Sequence, residues 1–425
     1  MVPARGASLL GGVSSVVDTL APPRLGAGFR WLLASSWFSN LGDGIALAAG
    51  PLLVASQTDD PLLVALAALF RWLPQLLFAI FAGALSDRLD RRAIVVTADL
   101  LRAAILVVVV ATIVTGTVSI AVILAAIFVL STAEVFADNA SQTLLPMLVR
   151  RDDLAIGNAR IQAGLVTLDQ LVGPPIGAAL FALGMALPFI GQAVLVAMGA
   201  MLVSRIALPR VSREGAITRA VRHEIAEGFR WVRHHAAVRT LVLTIFIFNI
   251  TFGAAWSVLV LYAMERLGLG EIGFGLLTTV LALGGLLGTV AYGWITRRVS
   301  LGNIMRIGLM IETITHLGLA ITTSAVVAMV IFFGFGLHAF VWGTTSVAVR
   351  QRAVPLELQG RVGSVNTVGV FGGLVIGSAI GGLLARAFGV TAPFWFAFVG
   401  SALFLVAIWR ELAHIAHADE APASA

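Results

Sequence analysis

The chain has 425 residues, of which 59% are hydrophobic and 12% charged, and its mean hydropathy is +0.98. A soluble protein carries about a quarter charged residues, so composition excludes a soluble globular fold and indicates an integral membrane protein. All 28 basic residues are arginine and there is no cysteine, which excludes Schiff-base lysine chemistry, disulfides and thiolate metal sites.

The apolar runs are too long for strands and long enough, at 1.5 Å per residue, for helices that cross a bilayer. Twelve are expected, over about 30–56, 61–86, 92–115, 118–146, 155–184, 186–207, 238–264, 272–296, 301–322, 325–348, 360–386 and 391–412. This predicts an all-α membrane protein organised as a leader (1–28), a six-helix half (29–208), a linker (209–237), a second six-helix half (238–412) and a tail (413–425). No cleavable signal is read in the leader.

Charge orients the spans. Arg88, Arg91 and Arg92, Arg150 and Arg151, Arg297 and Arg298, and Arg350 and Arg352 all fall on the face of the leader, whereas only Arg266 and Arg386 fall near the other. By the positive-inside rule both termini are cytoplasmic, in a multi-pass protein of the cell membrane. The same rule accounts for the sequence pI near 11.1 without a nucleic-acid partner. In the linker, Ile225, Phe229 and Val232 share one helical stripe, which predicts an amphipathic helix on the cytoplasmic membrane surface.

The first span holds Asp43 between Gly42 and Gly44, and the second holds Arg71. A charge in hydrocarbon costs at least about 2.5 kcal/mol, so it faces a cavity or a partner. Asp43 reads either as a proton or cation carrier or as half of a structural ion pair with Arg71. Asp169 of the fifth span is a second carrier candidate. Glu134 and Asp138, one turn apart on the fourth span, share a proton or pair with Arg102 or Arg160, and pairing is the stronger reading. In Gly173-Pro174-Pro175-Ile-Gly177 the prolines remove backbone donors, so this stretch is a pivot or a close-packing surface. Trp37, Trp72, Phe248, Phe252 and Trp256 are candidate cavity aromatics, although such rings more often face lipid or core. His338, near Trp342 in the tenth span, is a weaker cavity candidate, since a lone intramembrane histidine is often only hydrogen-bonded.

Between the second and third spans stands Gly83-Ala-Leu-Ser-Asp87-Arg88-Leu-Asp90-Arg91-Arg92. At this position the stretch resembles the signature loop of major facilitator superfamily transporters, which prefer glycine where this chain has Asp90. A decayed copy stands at Gly293-Trp-Ile-Thr-Arg297-Arg298, and Gly377-Ser-Ala-Ile-Gly381 answers the Gly173 stretch. The Gly-Asp-Gly setting of Asp43 is similar to that in bacterial drug, macrolide and siderophore (enterobactin-type) exporters.

The resemblance implies two six-helix halves rocking about a central site. Asp87, and the loop with it, would help close the cytoplasmic side against the start of the eleventh helix, near Gly360 and Arg361; the alternative is a loop that signals topology alone. The ninth span would lie at the outside of the bundle, so Glu312 and His316, on one face of it, would be packing or interfacial groups rather than cavity residues. The implied function is a proton-coupled antiporter exporting an amphipathic small molecule: drug, macrolide or siderophore. The partners would be the cargo, protons and lipid, around a monomer without cofactor or metal. A proton-coupled or facilitative importer is the alternative, and a membrane-embedded enzyme a more distant one. No nucleotide-binding loop, zinc motif or nucleophile elbow is present in the sequence, so the chain reads as a non-enzyme.

Overall fold

The computed structural model describes residues 22–208 and 221–412, except the side chains of Asp87 and of residues 221–225. The elements among these residues are all helices, with no strand. Eleven helices are long and apolar enough to cross a membrane, and Ala392–Ile408 forms a shorter twelfth. In order, the spans begin with Gly26–Ala55, Pro61–Arg88, Arg91–Val114 and Ile120–Leu148. The fifth is Leu154–Gly164 continued through a π-helical stretch into Gly173–Leu183, and the sixth is Leu187–Ser204. The second half comprises Ala236–Trp256, Glu271–Thr296, Leu301–Ile321, Ala325–Ala353, Gln359–Phe388 and Ala392–Ile408.

Local chemistry sets these ends. Asp60, Ser119, Ser300 and Ser324 each accept a backbone N–H of the first turn, which satisfies donors that a helix start leaves orphaned. Gly389 closes the eleventh span with a φ of 90°, a conformation that side chains disfavour. The first helix starts at Gly26, inside the stretch expected to be leader, because Leu25 and Phe29 are buried against the fourth and sixth spans. Residues 1–21, 209–220 and 413–425, which hold the rest of the expected leader, linker and tail, lie outside the described residues.

Equivalent crossings recur in the halves. A Cβ at Gly177 would collide with the backbone of Ile45, and one at Gly377 with the carbonyl of Ile250. The fifth span thus presses on the first as the eleventh presses on the seventh. The halves meet where the second span packs on the eleventh and the fifth on the eighth.

That meeting runs from one end to the middle of the spans, where Trp72 lies against Phe371. One large apolar cluster joins Leu52, Val64, Ala67 and Ala178 of the first half to Leu261, Phe274 and Ala385 of the second. At the same end Arg386 and Asp60 approach to 3.7 Å across the seam. At the end bearing the Asp90 loop, the buried clusters belong to single halves: Leu25, Val95, Leu144 and Val203 in one, Leu241, Met305, Val238 and Val362 in the other. The bundle is closed at the Asp60 end and parted at the Asp90 end.

Candidate functional site

The fifth span loses its α-helical register at Leu165–Val172 because Pro174 and Pro175 cannot donate to carbonyls one turn back. Gly173 N–H accordingly reaches back to the Leu168 carbonyl. The same stretch lies against the first span so closely that a Cβ at Gly44 would collide with the Leu168 and Asp169 carbonyls. The Gly173-Pro174-Gly177 motif is therefore both a break in helical register and a packing surface. Its consequence is to bring Asp169 beside the turn that carries Asp43.

Around that crossing lie two ion pairs. Arg71 donates two hydrogen bonds to Glu134, at 2.6 and 2.9 Å, and a longer one to the Ser131 hydroxyl at 3.4 Å. Arg102, from the third span, donates to Asp43 and, at 3.1 Å, to Asp99 one turn earlier on its own helix. Gln192 of the sixth span adds a donor 3.5 Å from Asp43. The expected pairing of Asp43 with Arg71 is thus corrected, as is that of Glu134 with Arg102 or Arg160. Depth alone matched Arg71 to Asp43, but Arg71 faces the fourth span, and the guanidinium that meets Asp43 comes from the third.

Asp138 and Asp169 belong to the same charged group without sharing its bonds. Each lies within electrostatic range of Asp43, Glu134 and Arg71, and neither has a hydrogen-bond or ion-pair partner among the described residues. Asp138 is exposed, whereas Asp99 and Arg102 are almost fully buried. The group thus grades from a buried pair at the third span to an accessible carboxylate on the fourth. Five carboxylates (Asp43, Asp99, Glu134, Asp138, Asp169) face two arginines. Asp99 was not among the sequence candidates; its signal was the Asp-x-x-Arg spacing inside an apolar span.

The loop of Asp90 is built into the first half. Asp90 accepts the N–H groups of Arg92 and Ala93 and so caps the third span. Arg91 donates to the Ser86 carbonyl and to the Met147 sulfur at the end of the fourth span, and Arg92 to the Ile206 carbonyl after the sixth. Gly83 faces Asn139, and Arg88 is exposed. The side chain of Asp87, expected at the start of the eleventh helix, lies outside the described residues. What meets Arg361 there is Glu227, at 2.5 Å, from the linker helix Val221–His234. That helix docks on the eleventh span through Gly228 and buries Val232 between Val354 and Val362, while Phe229 is exposed.

The aromatic candidates divide. Trp72 meets Phe371 across the seam between halves, with ring centroids 6.0 Å apart. Phe252 stacks on Trp256 at 4.2 Å, and Trp256 packs on Phe332 and Phe335 of the tenth span. Trp37 instead packs on Gly164 and donates weakly, at 3.4 Å, to the Arg160 carbonyl. Phe248 is core rather than cavity: it is buried against Phe404 of the twelfth span. Glu312 and His316, expected to be packing or interfacial groups, are buried, with exposures of 9% and 0%. They turn inward because the ninth span packs that face on the tenth.

Comparison with known proteins agrees with this architecture. The profile described as Transmembrane secretion effector, a family of the major facilitator superfamily, matches residues 17–424. The chain is 29% identical over 393 residues to the multidrug efflux pump Tap of Mycolicibacterium fortuitum, covering 85% of this chain and 90% of that one. It is 24% identical over 368 residues to macrolide efflux protein A of Streptococcus pyogenes, covering 84% and 88%. Among solved structures, a bacterial homologue of the iron transporter ferroportin in its inward-facing state superposes with a TM-score of 0.74, at 16% identity over 91% of this chain and 98% of that one. In its outward-facing state, with soaked iron, that homologue gives 0.59, at 17% identity over 90% and 98%.

Proposed function

The chain belongs to the Transmembrane secretion effector family of the major facilitator superfamily, and from that premise we propose that it is a proton-coupled antiporter that exports amphipathic small molecules by alternating access. The observation that carries this reading is the excess of carboxylates in the first half. Two of the five, Asp138 and Asp169, lack the arginine partner that holds the others. A carboxylate in such a site binds a proton without first breaking an ion pair, and a net anionic cavity also favours a cationic cargo.

Rocking of the halves would alternate access to this group. With the arginine-rich loops on the cytoplasmic side, the joined Asp60 end is the outer one. The conformation described is then open to the cytoplasm, the state that loads cargo for export. The better superposition on the inward-facing ferroportin homologue supports that orientation of the opening. Drugs and macrolides are the first cargo classes to try, because the relatives are named for them, and siderophores the next. The aromatic pairs Trp72–Phe371 and Phe252–Trp256 offer the apolar surface such ligands need.

The test uses proteoliposomes containing a pH-reporting dye and a panel of hydrophobic drugs, macrolides and siderophores. Wild type is expected to show ligand-dependent proton flux, and Asp138→Asn or Asp169→Asn to abolish it. Asp43→Asn is the harder variant to read, because it also removes one of the two carboxylates that hold Arg102. Flux that survives both partnerless substitutions removes those carboxylates from coupling. Ligand uptake without proton movement replaces antiport by facilitated diffusion.

A further inference from the structure

The helices that hold the charged group carry an apolar groove on another face. The second and third spans scarcely touch each other, although each packs along the fourth. The wedge left between them is a groove of about 530 Å³. Leu85 and Leu89 form one wall, Thr97 and Leu101 the other, and Val129 and Phe136 the floor. At about 3.6 residues per turn, Val129 and Phe136 lie on the face of the fourth span opposite Glu134 and Asp138. On the third span Thr97 and Leu101 likewise turn away from Asp99 and Arg102. The groove therefore does not open on the carboxylates. Leu89, Leu101 and Val129 are exposed along it, which in a membrane means exposed to lipid.

Depth and chemistry select the occupant. The groove begins at Asp90, the cap of the third span, and ends at Leu101. At about 1.5 Å per residue that is about 16 Å of helix, roughly half of a hydrocarbon core about 30 Å thick. The arginine-rich loop at its start makes it the cytoplasmic half. Among the described residues its polar side chains are Asp90, Thr97 and Thr132. Asp90 is taken up by its cap and Thr132 by the Phe128 carbonyl. Water finds too few partners on such a wall, and an extended peptide would leave its backbone groups unpaired. A hydrocarbon chain meets neither obstacle. At the mouth, Arg91 and Arg92 are held by the carbonyls of Ser86 and Ile206. Arg88, beside Leu89 in the sequence, is exposed and has no ion pair among the described residues. A guanidinium at the level of the headgroups suits a phosphate.

We propose that the groove is a lipid site: one acyl chain of an anionic phospholipid from the cytoplasmic leaflet lies between the second and third spans, with its phosphate at Arg88. The chain supplies the packing that these two helices do not give each other. Because the site faces away from the carboxylates, it does not depend on which ion drives transport or on what is transported.

The test uses the full chain in nanodiscs of phosphatidylethanolamine and phosphatidylglycerol. A trace of phosphatidylglycerol carries a diazirine midway along one acyl chain, and its adducts are mapped by peptide mass spectrometry after irradiation. Adducts are expected to concentrate on the third span near Thr97 and Leu101 and on the fourth near Val129. Thr97→Trp, which fills the groove from an exposed position, is expected to cut them about tenfold, or about 1.4 kcal/mol of binding. Ala93→Trp, nearer the mouth, serves if that variant does not fold. Leu100→Trp, exposed on the same span but outside the groove, is expected to leave them unchanged. Arg88→Gln is expected to cut them about fivefold, the effect of one cation near the headgroups. Adducts spread evenly over the exposed apolar surface overturn the proposal, as does labelling of the groove that Thr97→Trp leaves intact. Adducts displaced by an added macrolide overturn it in favour of a cargo site. A dimer that Thr97→Trp dissociates overturns it in favour of a second copy of the chain.

Discussion

Arg71 and Glu134 join the second span to the fourth through two hydrogen bonds of 2.6 and 2.9 Å, with side-chain exposures of 31% and 15%. The fork of the guanidinium matches the two carboxylate oxygens, a geometry that lysine could not reproduce. Replacing Arg71 by methionine leaves Glu134 without the donors that hold it, and an orphaned charged hydrogen-bonding group costs about 2–3 kcal/mol. We expect Arg71→Met to lower the thermal midpoint in detergent clearly. The double variant Arg71→Met/Glu134→Met should recover most of that loss, because the orphan is then removed. A double variant no more stable than the single would show that the pair is not the source of the effect.

Asp90 departs from the glycine that the signature loop prefers, and its capping bonds to Arg92 and Ala93 give a reason why both residues serve. At an N-cap, replacement of an aspartate by alanine costs about 1 kcal/mol, whereas replacement by glycine costs only a few tenths. Asp90→Gly should therefore keep nearly wild-type stability and Asp90→Ala should not. Chemical denaturation of the two variants side by side reads the difference. Equal losses would assign Asp90 a role other than capping.

Arg386 and Asp60 close the seam at the joined end, at 3.7 Å and with exposures of 59% and 28%. A pair so exposed contributes at most about 1 kcal/mol, which is too little to matter for folding but enough to shift two nearly balanced conformers several-fold. The absence of cysteine makes the measurement clean. A single cysteine placed at Ala385, which is buried in the joined cluster, should react about two- to fivefold faster with a membrane-impermeant maleimide once Arg386 is replaced by alanine. An unchanged rate would mean that the apolar contacts alone hold the seam.

Gly177 lies on the backbone of Ile45 with no room for a methyl group. The obstacle is backbone rather than a side-chain tip, so the first and fifth spans must separate to admit one. Overpacking of this kind costs about 1–3 kcal/mol, and here it would also shift Asp43 away from Asp169. Gly177→Ala should lower both stability and transport. Gly50→Ala, also on the first span but with nothing within 4 Å of its Cβ position, should leave both unchanged.

The helical class and the succession of apolar spans were legible in the linear chain, because hydropathy, caps and loop arginines are properties of neighbouring residues. The Asp43 turn, Asp169 and the Gly-Pro stretch were also visible, since a charge or a proline in an apolar run stands out by composition alone. Partnership was not. Whether Asp43 meets Arg71 or Arg102 depends on how far each helix is rotated about its axis and on which spans cross. Those rotations are decided by close contacts such as Gly44 against the Asp169 backbone. For the same reason the sequence left Glu312 and His316 as packing or interfacial groups, and only the packing of the spans buries them. Hydropathy tells a residue its depth, while only the packing of all twelve helices tells it which way to face.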